Sequence, residues 1–365
     1  MIHTWLTGPL DSDVQAALER LTRSEDVQRI AVMPDVHLAR EVCVGTVLAT
    51  SRLLYPSAIG GDIGCGMAAM RFHCDARVIA SPTAAARVFE ALYDRLPARR
   101  RSRGDEDAWA PPHALSHPKL VAFADKDGAA QLGTLGSGNH FLELQEDDAG
   151  ALWAMVHTGS RGIGQQIRDH HLLHARETAT GMHALDAETD AGRGYLHDVR
   201  WAVHYAEASR RRILERLANL MRDLFGVDAD LGGSFDCHHN YIAREDELWV
   251  HRKGAIAAHD GELGITPGSM GTQSFHVRGK GKKEALCSSA HGAGRARSRS
   301  ETRKRVSVRR LGEEMRGVYY DHRIADGLRD EAPSAYKAID EVMRAQQELT
   351  AIVRTLRPLL SYKGV

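Results

Sequence analysis

Histidines set in turn-forming, mostly glycine-rich segments recur from residue 140 to residue 291, and they constrain the fold of this chain more than any other feature. His140 lies in Gly136-Ser-Gly-Asn-His, His157 in His-Thr-Gly-Ser-Arg-Gly, His239 in Cys-His-His-Asn and His291 in His-Gly-Ala-Gly-Arg. Glycine permits turns and close backbone approaches closed to other residues, so histidines in such settings are better placed to meet a ligand than to fill a core. A domain boundary between these segments would divide the site that they build. Residues 1–365 are therefore read as one large domain.

Composition sets the frame. With 43% hydrophobic and 26% charged residues the chain has ordinary globular content. Its net charge is zero, so a polyanionic partner must be held by local basic patches rather than by the overall field. Cys43, Cys65, Cys74, Cys237 and Cys287 are odd in number and contain no Cys-x-x-Cys pair, which disfavours a disulfide framework or a zinc ribbon. The N-terminus has neither a basic nor an apolar leader region, and no later run approaches 18 uncharged apolar residues. A soluble cytoplasmic protein without membrane contact is expected.

Apolar periodicity predicts helices over about 11–25, 81–96, 195–224 and 334–357. The third is amphipathic, with Arg210, Arg211 and Arg212 expected on its solvated side. Short apolar runs from Arg29, Gly45, Gly66, Leu152 and Glu247 read as strands. Because strands and helices are interspersed without a regular βαβ period, an α+β architecture is predicted rather than a doubly wound sheet. Residues 99–118 read as a polar surface loop, and Asp169-His-His-Leu-Leu-His as a surface helix that, like His238, stands outside the site.

In Gly60-Gly-Asp-Ile-Gly-Cys-Gly-Met, Asp62 and Cys65 sit on a tight turn and can point at one cation. With His140, His157 and His239 they form too rich a set for a single tetrahedral site with an open position. The set suits two metals sharing a ligand, for which a thiolate is the natural bridge. Its softness favours manganese, zinc, cobalt or iron over magnesium.

Three further glycine-rich segments, starting at Gly133, Gly159 and Pro267, can turn backbone N–H groups toward an anion, although none is a Walker A loop. His291 precedes a basic stretch, Arg295, Arg297, Arg299, Arg303, Lys304, Arg305, Arg309 and Arg310, with only Glu301 against it. That is a concentrated phosphate-binding surface, and a histidine beside it is a candidate nucleophile toward phosphorus.

Pro34-Asp-Val-His, Gly61-Asp-Ile-Gly-Cys-Gly-Met, Leu135-Gly-Ser-Gly-Asn-His-Phe-Leu-Glu, His157-Thr-Gly-Ser-Arg-Gly-Ile-Gly, Arg252-Lys-Gly-Ala, Pro267-Gly-Ser-Met-Gly and His291-Gly-Ala-Gly-Arg follow one another along the chain. In these motifs the chain resembles the RtcB family of GTP-dependent RNA ligases. The resemblance implies a single domain of mixed and antiparallel sheets surrounded by helices. It also implies an enzyme that joins RNA ends bearing a 3′-phosphate or 2′,3′-cyclic phosphate to 5′-hydroxyl ends, using GTP and two Mn2+ ions, in RNA repair or splicing.

By motif match, Asp62, Cys65 and His140 would hold one metal and Cys65, His157 and His239 the other. His291 would carry GMP. The nucleotide site would be lined by Asn139, His140, Phe141, Leu142 and Glu143, by His239 and Asn240, and by Pro267, Gly268, Ser269 and Met270 with Ser274. His291, Gly292, Ala293, Gly294 and Lys363 would complete it, with Tyr336 nearby. Glu143 and Lys363 suit the donor edge and the carbonyl of guanine. Arg161, Arg295 and Arg299 are candidates to grip RNA phosphate, the last two spaced to share a helical face.

The chain departs from the family pattern Asp-Val-His-x-Gly-x-Gly, reading Asp35-Val-His-Leu-Ala-Arg-Glu, which leaves the role of that loop and of Asp35 open. Its shortness resembles a compact bacterial branch acting beside a release-factor-like protein, on tRNA or ribosomal RNA. Two other readings compete: a metal-dependent phosphohydrolase acting on cyclic or terminal RNA phosphates, and an inactive RNA-binding module.

Overall fold

The computed structural model describes residues 1–100 and 109–364. Two sheets stack at its centre. The larger has seven strands, in spatial order Ala229–His238, Gly66–Asp75, Ala151–Thr158, Phe141–Asp147, Thr350–Lys363, Ser274–Gly279 and Leu263–Thr266, all antiparallel. The smaller has five, Ile2–Thr4, Val27–His37, Val44–Thr50, Leu248–Lys253 and Asn240–Glu245, with only its first pair parallel.

Strand alternation explains the layering. In Gly66–Asp75, Met67 and Ala69 face Met33, Val47 and Val250 of the smaller sheet, while Ala68, Met70 and Phe72 face Val88, Leu92, Ile213 and Leu217 of the helices behind. Both faces are buried, which is why these strands read as continuous apolar runs. The outer face of the smaller sheet packs Ile30, Val32 and Leu48 against Val14, Leu18 and Leu21 of the helix Ser12–Thr22. The α+β architecture with largely antiparallel sheets is as expected.

Three of the four expected helices form, over Ser12–Thr22, Pro82–Arg95 and Asp190–Phe225. The fourth does not. Only Ile339–Ala345 is helical, and Thr350–Lys363 is a strand inserted between Phe141–Asp147 and Ser274–Gly279. The β-branched residues of Thr350-Ala-Ile-Val-Arg-Thr favour the extended chain, and Pro358 sits at a bulge where it need not donate to the ladder.

Of the loop expected over 99–118, residues 101–108 lie outside the described part; beyond it, Trp109 packs edge-on to Trp201 and Tyr205. The surface helix expected around His170 forms as the end of Arg161–Leu172, with Asp169, Leu173 and His174 exposed; only His171 turns inward, its Nε2 2.7 Å from Asp198 Oδ2. All five cysteines are free, and no helix among the described residues is long and apolar enough to cross a membrane.

Candidate active site

Four neighbouring strands of the larger sheet bring the proposed metal ligands to one end. Gly66 pairs with Thr158 and with His238, and His157 pairs with Met67 and with Phe141. Cys65, His140, His157 and His239 are thereby set side by side, although up to 174 positions separate them in the chain (239 − 65). Gly66 is needed for this approach, because a Cβ there would collide with the Cys237 carbonyl; at Gly159 a Cβ would occupy the space of the Asp62 carboxylate.

Cys65 Sγ lies 3.2 Å from His157 Nε2 and 3.5 Å from His140 Nε2. Asp62 Oδ2 is 2.9 Å from His140 Nε2, and His157 Nε2 is 3.4 Å from His239 Nε2. Asp62, Cys65 and His140 form one group with ligand atoms within 4.8 Å of one another, and Cys65, His157 and His239 form a second; Cys65 belongs to both. His157 Nδ1 faces the Asn139 carbonyl at 3.1 Å, so the ring N–H donates there and leaves the Nε2 lone pair toward the cluster.

Burial, with the neighbouring imidazoles, pushes His157 and His239 well below the ordinary histidine range, so both are neutral donors. Burial and the Asp62 charge push the Cys65 thiol well up. Burial would also raise Asp62, but His140 outweighs it and holds the carboxyl at about 2. One carboxylate, one sulfur and three imidazoles, sharing the sulfur, could hold two borderline-soft divalent cations, which would in turn favour the thiolate.

Arg210 braces this cluster. Expected on the solvated side of its helix, it is instead fully buried. Its Nη1 donates to the Gly64 carbonyl (2.9 Å) and to the Thr158 carbonyl (2.8 Å), next to Cys65 and His157. Nε and Nη2 hold Asp236, and Nη2 also donates to His238 Nδ1 at 2.9 Å, beside His239. All five guanidinium donors are thus used on the backbone and side chains that flank three ligands.

Next to the cluster stands His291, its ring centroid 4.7 Å from that of His239. Its Nδ1 lies 2.6 Å from Oδ2 of Asp35, a carboxylate with no solvent exposure. A ring whose Nδ1–H is fixed on a carboxylate keeps its Nε2 lone pair free as a nucleophile. Asp35 is a site residue whose role the sequence left open, its partner lying 256 positions away.

A cleft of about 760 Å³ opens over His291 and over Asp62, Cys65, His157 and His239 of the candidate metal cluster. Asn139, Phe141, Glu143, Asn240, Pro267–Met270, His291–Gly294, Tyr336 and Lys363 line it. Strand alternation sends Leu142 the other way, into the helix-packed core, so it can offer the cleft only its backbone. Ser274 stands behind the wall, its Oγ accepting from Gln145 Nε2 (3.2 Å), which also donates to Glu143 (2.9 Å). Burial pushes the Glu143 carboxyl up to about 8, against the opposing pull of Gln145 and Lys363.

The basic residues behave otherwise than expected. Arg295 and Arg299 do not share a helical face, because the helix starts at Arg299. They meet instead at Glu331, at 3.3 and 2.7 Å, and Tyr336 and Lys363 donate to the same carboxylate. Arg299 and Arg303 also pair with Asp330, and Arg309 and Arg310 with Glu313 and Glu314. Arg161 is turned inward, its Nη1 3.1 Å from His140 Nδ1. Asp330 and Glu331 were missed in the sequence because no motif marks them and their partners are distant.

Comparison with known proteins places these features in context. The family model described as tRNA-splicing ligase RtcB matches residues 17–116 and 113–364. The RNA-splicing ligase RtcB of Escherichia coli K12 is 33% identical over 401 aligned residues, covering 100% of this chain and 97% of that protein. The namesake from Mycobacterium tuberculosis is 29% identical over 91% of this chain and 96% of its own length. The tRNA-splicing ligase RtcB of Thermococcus kodakarensis is 28% identical over 91% and 87%.

Proposed function

The chain belongs to the RtcB family of tRNA-splicing ligases, and on that footing we propose that it seals RNA breaks with GTP and two Mn2+ ions, joining 3′-phosphate or 2′,3′-cyclic phosphate ends to 5′-hydroxyl ends in the cytoplasm. The observation that carries this reading is the His291–Asp35 pair set against a five-ligand cluster in one cleft.

Asp62, Cys65 and His140 would hold one ion and Cys65, His157 and His239 the other. Bound there, the ions supply Lewis-acid polarisation of phosphoryl oxygens. The remaining work falls to the chain. Asp35 holds the His291 ring so that Nε2 attacks the α-phosphorus of GTP and pyrophosphate leaves. Glu143 and Lys363 bracket the guanine, and the loop Pro267–Met270 lines the nucleotide side of the cleft. GMP then passes from His291 to the RNA 3′-phosphate, and the 5′-hydroxyl of the second strand displaces it. A cyclic end is first opened by water to the 3′-phosphate.

The test is a ligation assay with defined RNA strands, one ending in 2′,3′-cyclic phosphate and one in 5′-hydroxyl. Joined RNA is expected only with GTP and Mn2+ together. Conversion of the cyclic end to 3′-phosphate without GTP, and no joined product with it, would favour a phosphohydrolase instead.

A further inference from the structure

The cleft has a second wall, made of residues other than those assigned to the nucleotide. It is built from the smaller sheet and the loop between Val27–His37 and Val44–Thr50, and it presents Arg40, Val44, Ser57, Gly60 and Lys253. Gly254 joins it to the nucleophile, since a Cβ there would touch Val44 and lie 3.0 Å from His291 Cε1. Gly60 and Gly61 join it to the metal ligands: a Cβ on Gly60 would lie 3.8 Å from Lys253 Cε, and Asp62 follows directly.

The charges on the two walls differ in kind. Arg295, Arg299 and Lys363 are already ion-paired with Asp330 and Glu331. On the second wall, Arg40 is exposed and has no hydrogen-bond or ion-pair partner among the described residues. Lys253 is largely buried, and its Nζ donates to the Ser57 carbonyl at 2.9 Å, with no carboxylate in contact. Glu41 is the acidic neighbour in the loop and is exposed. Of the lysines and arginines that line the cleft among the described residues, those without a carboxylate partner therefore lie on this wall.

We propose that Arg40 and Lys253 form the subsite for the phosphodiester backbone of the RNA strand that ends in the 5′-hydroxyl. The assignment rests on the ligase reading above. In the last step the 5′-oxygen forms a bond to the 3′-phosphate as GMP leaves with the electrons of the bond that breaks. The hydroxyl proton passes to the departing phosphate, directly or through water. Attacking and leaving oxygens lie roughly in line in such a displacement, so with GMP on the wall of Phe141 and Glu143 the hydroxyl strand enters from the wall opposite. Arg40 lies in the loop after Val27–His37, between Ala39 and Glu41, the two positions where the chain lacks the glycines of the family pattern.

Full-length protein with Arg40→Ala is compared with the unsubstituted protein on separate 3′-phosphate and 5′-hydroxyl strands. Loss of one charged phosphate contact is expected to raise KM for the 5′-hydroxyl strand ~10-fold. RNA capped with GMP at its 3′-phosphate should accumulate, while the protein–GMP adduct forms as before. Arg40→Lys, which keeps the charge, should restore most of the affinity. An unchanged KM for the 5′-hydroxyl strand, or a rise confined to the 3′-phosphate strand, overturns the assignment. Absence of any protein–GMP adduct in the unsubstituted protein would instead overturn the ligase reading, and this subsite with it.

Discussion

Asp35 shows what a single side chain contributes that its local sequence does not declare. It is buried, and Oδ2 meets His291 Nδ1 while Oδ1 has no hydrogen-bond partner among the described residues. Asp35→Asn would keep the shape but lose the charge that orients the ring. GMP-adduct formation is expected to slow by about 10²–10³-fold, read by single-turnover labelling, with metal content unchanged. Glu143 makes a prediction in pH. Its carboxyl, pushed up to about 8, is protonated in the free site near neutrality, whereas guanine donors require the ionised form. GTP affinity should then rise with pH toward 8, with proton uptake by buffer on binding, measurable by calorimetry in buffers of different ionisation enthalpy. Between its ordinary 4.5 and about 8 the folded protein holds a proton that the unfolded chain has lost, so the contribution of Glu143 to stability falls as pH rises across that window. Glu143→Gln should flatten both profiles. At this scale the cluster of Asp62, Cys65, His140, His157 and His239 was legible because its members sit in distinctive turns, Asp62 and Cys65 sharing one. Asp35, Arg210 and Glu331 were not, because their meaning lies in partners that only the fold supplies.

The long helix Asp190–Phe225 carries two kinds of contact, and they separate experimentally. Leu217 fills the core behind the larger sheet, so Leu217→Ala should cost ~2–5 kcal/mol in urea unfolding and leave Mn2+ affinity unchanged. Arg210→Met leaves the half-buried Asp236 without its partner and the buried carbonyls of Gly64 and Thr158 without a donor. It should cost ~3–5 kcal/mol and also weaken Mn2+ binding, measured by metal titration well below the unfolding transition. Equal metal affinity in the two variants would contradict the bracing role. The helix itself was legible from its periodicity. The strand Thr350–Lys363 was not, because its apolar residues also fit a helical period and its place between Phe141–Asp147 and Ser274–Gly279 is set by long-range pairing.

For the whole molecule, zero net charge conceals an uneven surface: arginines after His291 are tied to Asp330 and Glu331, while Arg40 stays free. The interspersed elements pointed to α+β, yet no local signal says that the four strands bearing the ligands lie side by side. That order arises from stacking two sheets between helices, and on the proposed reading it divides the labour of the histidines: three would hold metal and the fourth would carry the nucleotide. The most direct test is to incubate the protein with α-labelled GTP and Mn2+ and compare His291→Ala with the unsubstituted chain. The account predicts an acid-labile GMP adduct on the unsubstituted protein, and none on His291→Ala at equal metal content. No adduct on the unsubstituted protein, or one that survives His291→Ala, would contradict it.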